Sequence, residues 1–290
     1  MGGTNFRHVG ARRAQDGAPE AFMILKCSFG VLSLGLVVVA CTSPPAEPKP
    51  SPPKLVEGMW SDPPGAIGML CFFTCTDTAI ERLNALLDDP ANDARPFPEL
   101  RAEAEKHSRD TYLRPRLTEA ALKNYPLDPA DDPGLLRCEP WGLARQMFAP
   151  HQIEIRRLGE DRVELRYGEW NARRTVYMDG RARQQPVLPS PMGHSVGRWE
   201  GETLVIETTG VSANITPWRF EHSDRLQTVE RFTRADDGDT LLLRANLTDS
   251  WSLRQPLVIK KIWKWAPDSK ITPYEDCEPP AAVTRGVSAP

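Results

Sequence analysis

From Gln152 to Trp265 the chain repeats one local pattern, and that pattern narrows the folds open to it. Short runs of alternating side chains are separated by turns bearing Gly and Asp, with no crossover helix between them. Gln152–Arg156 and Val163–Tyr167 flank Leu158-Gly159-Glu160-Asp161, and Arg173–Met178 ends at Asp179-Gly180. Ser195–Trp199 and Thr203–Thr208 flank Glu200-Gly201-Glu202; Leu226–Thr233 and Thr240–Leu247 flank Asp236-Asp237-Gly238-Asp239; Leu257–Trp265 comes last. Along one run Leu241, Leu243, Ala245 and Leu247 share a face, with Arg244, Asn246 and Thr248 on the other, as a half-buried strand requires. The spacing therefore predicts a mainly β fold, an antiparallel eight-stranded meander closed into a barrel or half-barrel. Such a barrel has room for packed side chains or for one small ligand.

The remainder divides around that unit. Residues 134–277 form the β-barrel-like domain, and 58–133 read as a small N-terminal helical segment. Within it Thr78 and Glu81 form a capping box ahead of an apolar stripe of Ile80, Leu83 and Leu87. Glu99–Arg109 is a more polar helix, and Thr118 caps a short one halted by Pro126. Residues 41–57 are proline-rich and predict an extended tether, and 278–290 predict a disordered tail.

Residues 23–40 have the layout of a lipoprotein signal peptide: Lys26 as the positive start, then an apolar stretch from Cys27 to Ala40. That stretch is shorter than the roughly 20 apolar residues a permanent membrane span needs. Ala40 admits the peptidase, and the thiol of Cys41 is the lipidation site. Residues 1–22 carry no apolar pattern and read as an unused upstream start. The expected location is the bacterial cell envelope, lipid-anchored at the outer membrane and facing the periplasm, with Thr42 after the cysteine favouring outer-membrane sorting.

A net charge of −3 gives no reason to expect a nucleic-acid partner; the arginines between Arg137 and Arg183 are interleaved with carboxylates. Cys71, Cys75, Cys138 and Cys277 remain after the leader, an even number that suits disulfides in an oxidising compartment. Three pairings are open, and Cys138–Cys277 with Cys71–Cys75 is favoured because the first ties the start of the β region to its end. A thiolate metal site at Cys71-x-x-x-Cys75 lacks further ligands at the right spacing, so no metal and no cofactor are expected.

Several blocks resemble a group of uncharacterised secreted bacterial β-rich proteins. They are Cys138-Glu139-Pro140-Trp141-Gly142-Leu143-Ala144-Arg145-Gln146-Met147, Asp179-Gly180-Arg181, and Gly193 through Leu204. His222-Ser223-Asp224-Arg225-Leu226, Glu230-Arg231-Phe232 and Cys277 complete the set, which covers about half the chain. Ala144 stands where the group has proline, and Arg183-Gln184 where His-Pro follows the Asp-Gly-Arg turn. The resemblance implies a shared fold and pocket rather than a reaction.

Candidate chemistry gathers on His194, Arg198, Glu200, His222, Asp224 and Glu230. Two imidazoles near carboxylates are able to bind a ligand or act as acid and base near neutral pH. Gly193-His194-Ser195-Val196-Gly197 matches a nucleophile elbow, but strand-like residues follow where that motif needs a helix. Glu230 shares a strand face with Leu226, Thr228 and Phe232; it either pairs with Arg198 in the interior or sits at an edge in water. Trp199, Trp263 and Trp265, with Ile259 and Lys261, suggest an aromatic pocket wall.

Three functions fit these residues. A membrane-tethered, lipocalin-like barrel could hold a small apolar or amphipathic ligand, with Arg198 and the histidines orienting its polar end. A hydrolase, isomerase or lyase could use His194 or His222 with Asp224 or Glu230. An envelope scaffold could use residues 76–124 as a partner surface, the protein partner being unknown. The first is the expectation carried forward.

Overall fold

The computed structural model describes residues 56–62, 76–128, 132, 134, 138–149, 151–180, 188–272 and 277, with the backbone alone of 26–31 and 37–42. The chain divides into two compact units, Met1–Pro50 and Ser51–Pro290. In the first, β1 (Lys26–Val31) pairs antiparallel with β2 (Val37–Thr42), Cys27 opposite Cys41. Among the described residues no helix is long and apolar enough to cross a membrane. Residues 1–22, tether residues 43–55, Cys71, Cys75 and the tail 278–290 lie outside the described residues, as does the side chain of Cys41.

The second unit is a closed barrel of nine strands. In chain order they are β3 (Gly58–Ser61), β4 (Ile153–Arg157), β5 (Arg162–Tyr167), β6 (Arg173–Tyr177), β7 (His194–Glu200) and β8 (Thr203–Thr209). After a two-residue pair outside the barrel, β9 (Asn214–Ile215) and β10 (Glu221–His222), come β11 (Gln227–Arg234), β12 (Thr240–Thr248) and β13 (Leu257–Trp265). Around the wall they run β11-β12-β13-β3-β4-β5-β6-β7-β8, and β8 closes on β11. The eight strands expected from the turn spacing are all present.

The expectation needs two corrections. The ninth strand, β3, comes from the stretch read as helical; its four residues are too few to show an alternation. The second is that β6 and β7 pair in parallel, Val176 with Ser195 and Tyr177 with Val196. The segment 178–193 between them is long enough to carry the chain back to the same end, which a tight hairpin cannot do. Gly197 permits the approach: a Cβ there would lie 2.6 Å from Val176 Cγ1 and 2.7 Å from Met178 Sδ.

The helical region reaches the barrel at one of its narrow seams. β13 meets β3 over only two register pairs, Lys264 with Ser61 and Trp265 with Trp60. Further along, the Tyr112 hydroxyl takes the place of the missing strand, donating to the Val258 carbonyl and accepting from its N–H, each at 3.1 Å. Leu113, Leu117, Leu143, Met147 and Phe148 are buried against the barrel in one core, so much of the helical region is the barrel's cover.

Helices α1 (Asp77–Leu87) and α2 (Phe97–Ser108) keep a small core of their own, Leu83, Leu86, Leu100 and Ala104 with Phe97. Thr76, rather than Thr78, caps α1, accepting from the Ala79 N–H at 3.2 Å. The buried stripe accordingly rotates to Ala79, Leu83 and Leu86, leaving Leu87 exposed. Thr118 caps α3 (Glu119–Leu122) as expected. Beyond it lies α4 (Leu143–Gln146). Cys138 and Cys277 form a disulfide, Cα atoms 5.6 Å apart across a separation of 139 residues. Closing a loop of that length restricts the unfolded chain by about 5 kcal/mol.

Candidate functional site

The barrel interior is filled. Trp60, Trp263, Phe232, Leu165, Leu204, Ile206, Leu243 and Ile259 are all buried to 1% exposure or less. Strand register stacks Gly197, Ile206, Glu230, Ala245 and Ile259 in one row across β7, β8, β11, β12 and β13. Glu230 therefore points inward among apolar neighbours, where a lone carboxylate would be costly.

Its partner is Arg174 on β6. Arg174 Nη1 and Nη2 donate to the two Glu230 oxygens at 2.7 and 2.8 Å, and Thr228 Oγ1 donates to Oε1 at 3.1 Å. Ser195 and Thr208 hydroxyls, 2.8 Å apart, sit beside the guanidinium. Burial would pull the Arg174 pKa down, but the Glu230 charge outweighs it and the net shift is upward. Tyr167 lies beneath the pair; burial pushes its hydroxyl pKa up, and its oxygen has no hydrogen-bond partner among the described residues. Neither the Arg198 pairing nor the solvated edge expected for Glu230 is found, because Arg174 reaches it across the interior.

The other expected site residues are not brought together. Arg198 is exposed and pairs with Glu200 at 2.8 Å and Glu207 at 2.6 Å. Glu200 also holds Arg231 at 2.7 Å; hydrogen bonds from Arg231 and then Arg198 lower its pKa. His194 begins β7, half-buried, its ring stacked on Tyr177 at 5.4 Å. Ser195, in the elbow-like motif, points inward from strand β7, which leads into β8 and not into a helix. Asp224 is exposed. Trp263 fills the interior beside Phe232, Trp265 packs edge-on against Trp60 at 5.2 Å, and Trp199 lies under Arg157. These tryptophans serve packing, and none lines a described hollow.

His222 is different. It lies on β10 at 2% exposure and lines a hollow of about 480 Å³. Leu127, Ile215 and Trp251 form its apolar side; Asn214, Glu221, His222 and Ser223 form its polar side. Among the described residues that line it, none belongs to a barrel strand. The β9–β10 turn is anchored from beneath by Trp218 and Phe220, both buried, with Trp218 against Phe148 at 5.3 Å. His222 Nδ1 faces the Ser223 carbonyl at 3.0 Å, so the ring proton sits on Nδ1 and Nε2 keeps its lone pair. Burial lowers the His222 pKa against the pull of the Ser223 carbonyl and Asp249, favouring the neutral ring.

Behind this wall Asp249 gathers four donors. Oδ1 accepts from Ser223 Oγ at 2.7 Å and Trp251 N at 2.9 Å; Oδ2 accepts from Ser223 N at 2.7 Å and Ser252 Oγ at 2.9 Å. Burial raises its pKa, the four bonds lower it, and the net direction is down. This knot fixes Ser223 and Trp251 on the same hollow.

A second cluster lies at one end of the barrel, and nothing in the sequence pattern announced it. His151 Nε2 contacts the Glu169 carboxylate, and buried Lys261 pairs with Asp62 at 3.0 Å while donating to the Ala149 carbonyl. Gln146 Nε2 donates to the Glu169 carbonyl at 3.2 Å. Burial raises the Asp62 pKa, opposed by Lys261 and then His151. Trp170 and Asn171 hold φ of 56° and 47°, a left-handed pair unusual for such residues, and their turn presents Glu169 to His151. Gly168 lets His151 close in, since a Cβ there would meet its Cβ at 2.8 Å. The turn Glu169-Trp170-Asn171-Ala172 lacks the glycine that would have marked it. Among the described residues no cluster of His, Cys, Asp and Glu is arranged to hold a metal. No family model, curated protein or solved structure matches the chain.

Proposed function

We propose that this chain is a lipid-anchored envelope protein, tethered through Cys41, that carries a small amphipathic ligand beside His222 and Trp251. The observation that carries this reading is the hollow of about 480 Å³ with Leu127, Ile215 and Trp251 on one side and a neutral His222 on the other. Volume, apolar lining and a few converging polar groups are the usual marks of a small-molecule site. The filled barrel supports a ligand on the flank rather than inside the strands. The run ending Val39-Ala40-Cys41 supports the anchor, whose acyl methylenes contribute about 0.8 kcal/mol each to membrane binding.

Native mass spectrometry of protein extracted from a bacterial envelope tests the carrier reading. A bound organic molecule is expected on the wild type and absent from Trp251→Ala; a bare wild type, or equal loading of both, overturns it. Cys41→Ser should move the protein from the membrane fraction to the soluble one, and unchanged partition would refute the anchor.

A second reading, acid–base catalysis, is favoured by one observation: the contact between His151 and Glu169. A half-exposed imidazole backed by a buried carboxylate is how enzymes hold a general base. His151→Gln would then abolish turnover without loss of fold.

A further inference from the structure

Resting on the carrier reading, we infer that the amphipathic ligand has an anionic head, a carboxylate or phosphate monoester, held by Arg225 and Arg254. A second hollow, of about 520 Å³, is lined in part by Asp249 of the same knot. Trp251 lines the first hollow and Ser250 the second, and Ser223 and Arg225 divide between them in the same way. The consecutive residues Ser250 and Trp251 bring the two hollows to one ridge, across which the ligand's chain would run with its tail against Trp251.

The second hollow is cationic in a specific way. Arg225 and Arg254 both line it. Arg225 has its backbone N–H bound to Ser223 Oγ at 3.1 Å, and its guanidinium makes no ion pair or hydrogen bond among the described residues. Arg254 is anchored by Nε to the Leu117 carbonyl at 3.0 Å. Its nearest carboxylate, Glu119, stands at 3.6 Å with a side chain 94% exposed, so water competes for it. Asp249 also lines this hollow; it keeps its negative charge, but the carboxylate is buried and turned into the four hydrogen bonds of the knot.

The Arg225 guanidinium, and that of Arg254 with only the solvent-exposed Glu119 as its anion, lie beside the amides of Gln227 and Gln255 and form a receptor for planar or tetrahedral oxyanions. Across the ridge no Lys or Arg lines the first hollow among the described residues, and burial disfavours the charged form of His222 there. Head and tail are thereby sorted between the two hollows.

Calorimetry on the full chain with octyl phosphate, octyl glucoside and inorganic phosphate tests this. Octyl phosphate should bind at least about tenfold more tightly than octyl glucoside, the scale of one charge-assisted contact. Arg225→Gln with Arg254→Gln should erase that difference and leave octyl glucoside unchanged; Arg225→Gln alone, at an exposed position, covers the case in which the double variant does not fold. Trp251→Ala should weaken both amphiphiles. Equal binding of both in the wild type overturns the anionic head and leaves the carrier reading standing. Inorganic phosphate binding as tightly as octyl phosphate also overturns it, since the site would then serve a free anion. No binding of either amphiphile overturns both this inference and the carrier reading.

Discussion

Arg174 and Glu230 meet face to face inside the barrel, joined by parallel hydrogen bonds of 2.7 and 2.8 Å from β6 to β11. The pair explains how an inward carboxylate survives in a packed interior, and it occupies space that a lumenal ligand would need. It also separates stability from function, because every atom of it lies away from the hollow at His222.

Removing one partner should be far worse than removing both. Glu230→Leu leaves a buried guanidinium unpaired, at a cost of about 3–5 kcal/mol. Glu230→Leu with Arg174→Met replaces the pair by apolar groups and should recover most of that loss. Urea denaturation of the two single variants and the double variant measures the coupling; strictly additive losses would show that the pair is not a unit.

Most of the strands were legible because they alternate and end in a turn that Gly or Asp favours. All eight fall within one residue of their expected ends, as with Arg162–Tyr167 and Leu257–Trp265. The strand face that Glu230 shares with Thr228 and Phe232 was legible too, though it left open whether the carboxylate turned inward to Arg198 or sat at a solvated edge. Its partner was not: Arg174 lies 56 residues earlier, and local alternation says nothing about which strand faces which across a closed barrel. β3 was hidden by its length and by the helices that separate it from β4. The hollow at His222 is built from four segments, around Leu127, Asn214, His222 and Trp251, so only the imidazole itself could be picked out.

Asp249 should govern an acid limb of stability. Its folded pKa is depressed below the unfolded value, so its contribution is complete above the ordinary carboxylate range and is lost as pH falls through the folded pKa. Asp249→Asn keeps the shape but loses acceptors for Ser223, Trp251 and Ser252. Unfolding free energies between pH 7 and pH 3 should fall less steeply for Asp249→Asn than for the wild type, by at most about 1 kcal/mol over the range. Parallel curves would place the acid sensitivity elsewhere.

His222 acts at a higher pH and with a different sign of cause. Burial lowers its folded pKa below the ordinary 6.5, so the unfolded chain takes up the proton first. Stability should therefore decline as pH drops through the region of 6.5 and level off only below the folded pKa. His222→Gln, uncharged throughout, should flatten this step between pH 7.5 and pH 5. A step of unchanged size in the variant would assign it to another group.

The cluster at the barrel end predicts a contrast in histidine chemistry. Diethyl pyrocarbonate acylates a ring nitrogen that is both accessible and unshared. His222 is buried to 2% exposure and should resist, whereas the side chain of His151 is 35% exposed but has Nε2 engaged by Glu169. A carboxylate that accepts from Nε2–H leaves the lone pair on Nδ1 and strengthens it as a nucleophile, so Glu169→Ala, which removes a hydrogen bond of about 1 kcal/mol, should slow acylation about fivefold. Peptide mapping of the modified protein reads both rates separately. Equal rates for His151 in the wild type and Glu169→Ala would mean that the carboxylate does not hold the ring, and the acid–base reading would lose the contact on which it stands.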